Sequence, residues 1–409
     1  IRQLIKQDIL FKMLRKFFLV LIFFVFSNQT YAEKFIDLGP SLKLSYKTGN
    51  IDTNTFNGFA SDISFFDKFN NDELIGNAKT LKIESQKNKD GQVIINLFSL
   101  SEIFAYDNEF GFEIVIDKIS IRDFNSAILK DDFAEDVASF DLLKHKNFSF
   151  NISGVNFKNN EFDLGIKKIS LPKIKYGKLS SGEEFAQETS FEIKEISFTA
   201  NPSNIDMLPL NVILASIGQQ SLTVDLNTYS EVFDKGLMLK IISKLGLNII
   251  GGAALNLELD YSVPIETFSY FSNNQSLIDE LQTQNFENLD NFNNEILMEL
   301  GKIQLNKVIF QIEDLGVRKP LIIMAASNMG MSEEDVINMS NEMIQSVLFP
   351  FIPVNAEKFA DSMSKFVEQG GKLTFSINPQ NPLPIISSMG LLVMPDLAIE
   401  SLGIKLLAE

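Results

Sequence analysis

Across residues 35–265 apolar and polar positions alternate with a period of two. The segment FEIVIDKISIRDF (residues 112–124) shows the form: Phe112, Ile114 and Ile116 alternate with Glu113, Val115 and Asp117. The phase slips at Asp117 and Lys118, and Ile119 and Ile121 resume the alternation. The same shape recurs in FSFNISGVNF (148–157), FDLGIKKISL (162–171), FEIKEISF (191–198) and IQLNKVIFQI (303–312). Alternation carried by β-branched and aromatic residues predicts half-buried strands. The polar or small pair in the middle predicts a bulge or short kink that passes each strand from one packing surface to another.

A meander follows. SLTVDLNTYS (221–230) leads through the turn residues Asp234, Lys235 and Gly236 to LMLKIISKL (237–245). After Gly246 comes LNIIGGAALNLELDYSV (247–263), read as one strand in which Gly251 and Gly252 mark a bulge or a close backbone approach. Short turns imply antiparallel neighbours. The period then changes to that of helices. Leu289, Phe292, Ile296, Leu297 and Leu300 predict a helix over 285–300, and Pro320 opens another over 320–328, stopped near Gly330. Ser332 to Asp335 form a capping-box-like start. Val336, Met339, Met343, Ile344 and Val347 give the following helix an apolar face, read as adaptable core. Residues 356–369 form a further helix closed by Gly370 and Gly371. A strand at 373–377 is followed by Pro379, Pro382 and Pro384, which prevent its extension. A short helix from Pro395 and a strand at 403–407 complete the chain. The fold class is α+β: a large, mostly antiparallel curled sheet (33–270) with a helix-rich C-terminal third (271–409).

The amino-terminal stretch differs from all of this. Arg15 and Lys16 precede ten unbroken apolar residues, 17–26. Ten helical residues rise about 15 Å, half of a bilayer core. Polar residues end the run, and Thr30, Tyr31 and Ala32 place small residues before Glu33. That order is the secretory signal pattern, so 13–32 is read as a signal peptide cleaved between Ala32 and Glu33. Residues 1–12, ahead of Met13, are read as upstream sequence outside the fold. Export to the periplasm is the expected location; an inner-membrane anchor through 13–32 is the alternative.

Composition then narrows the function. The net charge is −17, and removal of residues 1–32, which hold five cations and one acid, makes it −21. So acidic a chain repels phosphate backbones, which disfavours nucleic-acid binding. There is no cysteine, hence no disulfide and no thiolate metal site, and only one histidine, His145, so two-histidine metal chemistry is closed. His145 lies between two lysines and reads as a solvated loop residue. Asp131, Asp132, Glu135 and Asp136 lack the glycine and ligand alternation of a calcium loop. Gly370, Gly371 and Lys372 lack the spacing of a phosphate loop. No catalytic residue, metal site or cofactor is expected, and the chain reads as a non-enzyme. A hydrolase using paired carboxylates is the remote alternative.

What remains is hydrophobic. The chain holds 37 Phe and no Trp. Phe110, Phe112, Ile114, Ile116, Phe148, Phe150, Phe157, Phe191, Ile193 and Phe198 line one face of the strands. A curled sheet would turn that face into a groove for acyl chains; a covered one would make it a core. The expected partners are therefore a lipid or other apolar ligand, or an envelope protein docking on a fully packed molecule.

From the meander onward the chain resembles uncharacterised exported proteins of alphaproteobacteria. VIFQIEDLGVRKPLIIMAASNMGMSEEDVINM and GGKLTFSINPQNPLPI carry the resemblance, through Asp314, Gly316, Gly330, Ser332, Pro379, Pro382 and Pro384. These mark structural steps: a strand ending in Asp-x-Gly, a helix start and a proline-ended strand. The repeated strand pairs are also similar to the long curled sheets of AsmA-like and YdgA-like envelope proteins. That similarity implies a role in envelope lipid homeostasis or assembly.

Overall fold

A computed structural model describes residues 34–37, 42–52, 55–67, 73–89, 93–107, 112–125, 148–158, 162–172, 174–179, 182, 184–200, 208–273, 294–391 and 394–409. The signal segment with its Ala32 and Glu33 junction, Phe110, the acids 131–136, His145 and residues 285–293 lie outside the described residues. The chain forms a large antiparallel sheet that is not closed, accompanied by helices in its C-terminal part. Contacts divide it into two units. The first comprises residues 1–176 and 190–201; the second comprises 177–189 and 202–409. The meander thus belongs with the C-terminal helices, and the boundary expected near 270 falls inside the second unit.

In the first unit β1 (Lys34–Asp37), β2 (Leu42–Ile51), β3 (Gly58–Asp67), β4 (Glu73–Lys87), β5 (Val93–Asp107) and β6 (Phe112–Arg122) pair in sequence order, with β7 (Phe124–Asn125) against β5. β6 continues to β8 (Ser149–Lys158) and β9 (Phe162–Leu171). β9 pairs with the second half of β11 (Glu184–Ala200), which follows the short β10 (Lys175–Lys178).

The expected phase slip is present, and it is shared by the eight long strands of this unit. Pairing is interrupted at Lys47 and Asp62, at Asp62 and Lys79, at Lys79 and Glu102, at Glu102 and Asp117, at Asp117 and Gly154, at Gly154 and Lys167, and at Lys167 and Glu195. On both sides of each interruption the register is unchanged. The device is therefore a kink without an inserted residue, lined up across eight strands as one crease. Every second strand enters the left-handed region there: Asp62 (φ 52°), Glu102 (φ 48°), Gly154 (φ 64°) and Glu195 (φ 49°). Inward-facing residues are consequently three apart across the crease instead of two. Two apolar ladders flank it. One runs Ile63, Ala78, Ile103, Ile116, Val155, Ile166, Ile196; the other runs Ala60, Leu81, Leu100, Ile119, Ile152, Ile169, Ile193. Their members are buried from β3 to β6 and half-buried from β9 to β11. Outside, the crease carries charges and hydroxyls. Lys79 pairs with Glu102 at 2.7 Å and Lys167 with Glu195, while Thr80 and Ser101 share a 2.5 Å hydrogen bond.

In the second unit β12 (Leu222–Asp234), β13 (Met238–Ile249) and β14 (Ala253–Pro264) form the meander, and β15 (Gln304–Asp314), β16 (Lys372–Ile377) and β18 (Lys405–Ala408) extend it. β17 (Leu383–Pro384) pairs with the start of β15. The run 247–263 is a hairpin, where the sequence suggested one bulged strand. The chain turns at residues 250–252, with Gly251 at φ 72°. β13 passes straight through Gly246, where a Cβ would stand 2.7 Å from Asn227 Oδ1, so that glycine serves close approach. The slip at Asn306 is a true bulge: Asp260 opposes Lys307 and Tyr261 opposes Leu305.

The helices are α1 (Leu208–Ser216), α2 (Ile265–Asn273), α3 (Asn294–Leu300), α4 (Arg318–Met329), α5 (Glu333–Leu348), α6 (Ala356–Gln369), α7 (Ile385–Leu391) and α8 (Pro395–Ser401). α1, α2 and α7 lie where the sequence reading places no helix: α1 is apolar nearly throughout, whereas α2 has Ile265, Phe268 and Phe271 at helical spacing. Ser332 caps α5 as expected, in a reciprocal box with Asp335. The apolar face expected on α5 divides. Val336 is buried, but Met339, Met343 and Val347 are exposed and do not join the core.

Candidate functional site

The residues proposed from sequence to line a groove lie in the first unit, where the structure places them in two settings. Ile116 and Phe148 are buried, whereas Ile114, Phe150, Phe191 and Ile193 are half-buried on the inward face. Phe112 opposes Asp107 at the end of β6. The phenyl rings meet one another: Phe148 with Phe150 at 6.3 Å, Phe150 with Phe191 at 6.2 Å, and Phe162 with both Phe157 and Phe198. Aromatic pairs at such distances are favourable beyond their burial. Neighbouring rings on this face are thus in contact with one another.

An open apolar surface occurs in the second unit. The continuous register of β12 to β16 sorts the meander into two faces. One face bears Asp225, Glu231, Lys240, Lys244, Glu258, Asp260 and Lys307. Glu258 holds Lys244 at 3.5 Å and Lys307 at 3.2 Å; Asp260 holds Lys240 at 3.0 Å and accepts a hydrogen bond from Asn306. Glu258 and Asp260 are thus both tied to cations, which is unlike the free pair that glycoside hydrolysis needs. On the same face Tyr229 donates to Glu231 at 2.8 Å. That bond, with some burial, pushes the Tyr229 hydroxyl up to about 12.

The opposite face is apolar, and its two ends are filled. At one end Val232, Leu239, Ile241 and Val263 pack with Leu179 and Phe185, and with Ile265 and Phe268 of α2. At the other, Leu373, Phe375 and Leu406 pack beneath Ile352, Ala356 and Phe359 at the start of α6. Between these rows lies a hollow of about 280 Å³. Its floor is Leu245, Leu257 and Leu259; its walls include Thr189, Thr228, Ser230 and Ser243. Pairing continues the floor through Leu257 to Phe310. Leu245 remains 42% and Phe310 37% exposed. The cause lies in residue size. Two rows from the filled core, threonine and serine stand where leucine or phenylalanine would close the space. Ser243 also shares a hydrogen bond with Tyr261, whose hydroxyl is raised chiefly by burial. No carboxylate or imidazole lines the hollow; Tyr229 and Lys244 border it beside the leucines and the Thr and Ser hydroxyls, so its lining is mainly apolar with one cation at its border.

Of the structural steps named from sequence, Asp314 and Gly316 meet at one joint. Asp314, ending β15, accepts from the backbone N–H of Gly316 at 3.1 Å and of Arg318 at 3.0 Å. Its own N–H donates to Gly371, and Leu315 and Val317 donate to Gly252. Arg318 Nη1 donates to the Val367 carbonyl of α6 at 2.7 Å. A Cβ at Gly370 would lie 2.7 Å from Asp314 Oδ2, so glycine is required beside this carboxylate. Gly330 ends α4 at φ 66°, and Ser332 opens α5. Pro384 pairs with Gln304, Pro379 is buried and Pro382 is exposed. Arg318 was not singled out from sequence, although its i,i+4 spacing from Asp314 was the available signal.

A family model described as an uncharacterized protein matches residues 247–409, from the end of β13 to the last strand. No curated protein matches the chain. Among the described residues no helix is long and apolar enough to cross a membrane, and no cluster of three or more His, Asp or Glu stands ready to hold a metal ion.

Proposed function

We propose that this is a non-catalytic binding protein of the cell envelope that holds a lipid acyl chain or a similar apolar molecule on its meander. The hollow over Leu245, Leu257 and Leu259 carries the reading. It is apolar and open, and near the lower end of the volumes that ligand sites occupy. The apolar signal sequence supports delivery to the periplasm, and the resemblance to AsmA-like proteins supports a lipid as ligand. The ladders of the first unit serve as scaffold in this reading.

Native mass spectrometry of the purified protein, before and after incubation with oleate or monoolein, tests it. Co-purified or acquired lipid is expected. Leu257→Glu should lower uptake at least tenfold, since a carboxylate in the floor sets a charge against an apolar chain. Thr228→Leu, which fills the hollow, should abolish uptake without lowering the melting temperature. A protein that neither carries nor takes up any of these molecules is not a lipid carrier.

A further inference from the structure

A second apolar surface lies on the helices of the same unit and owes nothing to the hollow. Met339, Met343 and Val347 recur every four residues on α5, so they share one stripe. Met343 is 64% and Val347 54% exposed. The link that follows continues the surface, with Phe351 at 67% and Val354 at 78%. Asn355 then donates to Asp396 at 3.2 Å, which ties the end of this link to the start of α8. There Met394 and Leu397 are exposed as well. Seven large apolar side chains turned to solvent on adjoining segments are not the scattered exposure usual on a protein surface.

The charges along the stripe are mostly acidic, and Lys358, at the start of α6, is the nearest cation in sequence. Residues 320–357 contain Glu333, Glu334, Asp335, Glu342 and Glu357 and no lysine or arginine; residues 373–404 contain Asp396 and Glu400 and again no cation. Glu342 stands beside Met343 and one turn from Met339. An anionic membrane is repelled by such a rim, and so is a second copy of the same face. A partner that buries the methionines must bring cations around an apolar stripe. The exposed stripe on α5 runs over nine residues, 339–347, a rise of about 12 Å, and thus matches about two turns of a helix. Methionine adapts its shape to a docking helix.

We propose that the C-terminal half of α5, residues 349–354 and the start of α8 form a docking face for a basic amphipathic helix of a partner protein. The apolar stripe supplies contact and the carboxylate rim supplies orientation and encounter rate.

The test uses the full chain and a fluorescein-labelled amphipathic Leu/Lys helical peptide, followed by fluorescence anisotropy at low and moderate salt. The Leu/Lys peptide should bind and weaken with salt. A Leu/Glu counterpart should not bind, and a scrambled Leu/Lys peptide should bind at least tenfold more weakly. Met343→Lys and, separately, Val347→Lys should each weaken binding at least tenfold with unchanged far-ultraviolet circular dichroism. Glu342→Gln should weaken it less and flatten the salt dependence. Val115→Lys, in the other unit, should change nothing. Equal binding of the scrambled peptide, or indifference to both lysine substitutions, overturns the proposal. Preferential binding to phosphatidylcholine–phosphatidylglycerol vesicles, or concentration-dependent dimerisation lost in Met343→Lys, assigns the face to a membrane or a second copy instead.

Discussion

Gly154 and Glu102 hold equivalent places in the crease yet make opposite demands on substitution. Both have positive φ. At Gly154 a Cβ would meet the Asp117 side chain at 1.9 Å. Gly154→Ala should therefore cost at least the roughly 1–2 kcal/mol of a left-handed L-residue, as read from urea denaturation. At Glu102 that cost is already present. Glu102→Gly removes it and gives up an exposed ion pair worth about 0–1 kcal/mol, so stability should stay level or rise. A loss above about 1 kcal/mol, as for glycine in an ordinary strand, would show that the backbone there is unstrained. Tyr229 offers a residue-scale pH signal. The Glu231 hydrogen bond pushes its hydroxyl up to about 12 from the ordinary 10.0. A raised pKa means that the Tyr229–Glu231 bond stabilises fully below pH 10 and is lost as pH rises towards 12. Glu231→Gln should bring the tyrosine absorbance titration back towards 10.

At the scale of elements, the start of α5 is the clearest case. Ser332 and Asp335 satisfy each other's backbone donors, and these bonds hold the Asp335 carboxyl below its usual range. The stabilisation is present above pH 3.8 and disappears as pH falls through the lower folded value. Ser332→Ala should cost about 0.5–2 kcal/mol at neutral pH, measured by denaturant unfolding. This cap was legible because it depends on residues three apart. The crease was legible for the same reason: Asp117 with Lys118, Lys167 with Lys168 and Lys194 with Glu195 break the alternation within each strand. What the pattern concealed was that the breaks align, because alignment depends on register between strands. The hairpin at Gly251 was hidden by apolar residues on both sides of it. The hollow was hidden because Thr228, Ser230 and Ser243 look like ordinary polar positions until pairing puts them on one face with Leu257. α5 misled in the other direction, since an amphipathic pattern does not say whether its apolar stripe is covered.

For the whole molecule the balance of charge decides one further outcome. The net charge of −17 opposes compaction, while the exposed pairs Lys79–Glu102 and Lys82–Glu84 favour it weakly. Raising ionic strength from about 0.01 to 0.15 M shortens the Debye length from about 30 to 8 Å and screens both. Repulsion is the larger sum, so the melting temperature should rise with salt; a fall would mean that the ion-pair ladders dominate.

The crease has a consequence for what this sheet can refuse. Among the described residues β1 pairs with β2 from Lys43 to Tyr46 and stops one residue short of the crease. A straight intruder cannot follow β2 past Lys47, where the strand turns with its neighbours. It would need a break of its own, at the matching residue and of the matching hand. Only a strand already bent at the same place can pair along its whole length, so the crease itself works against edge-to-edge aggregation.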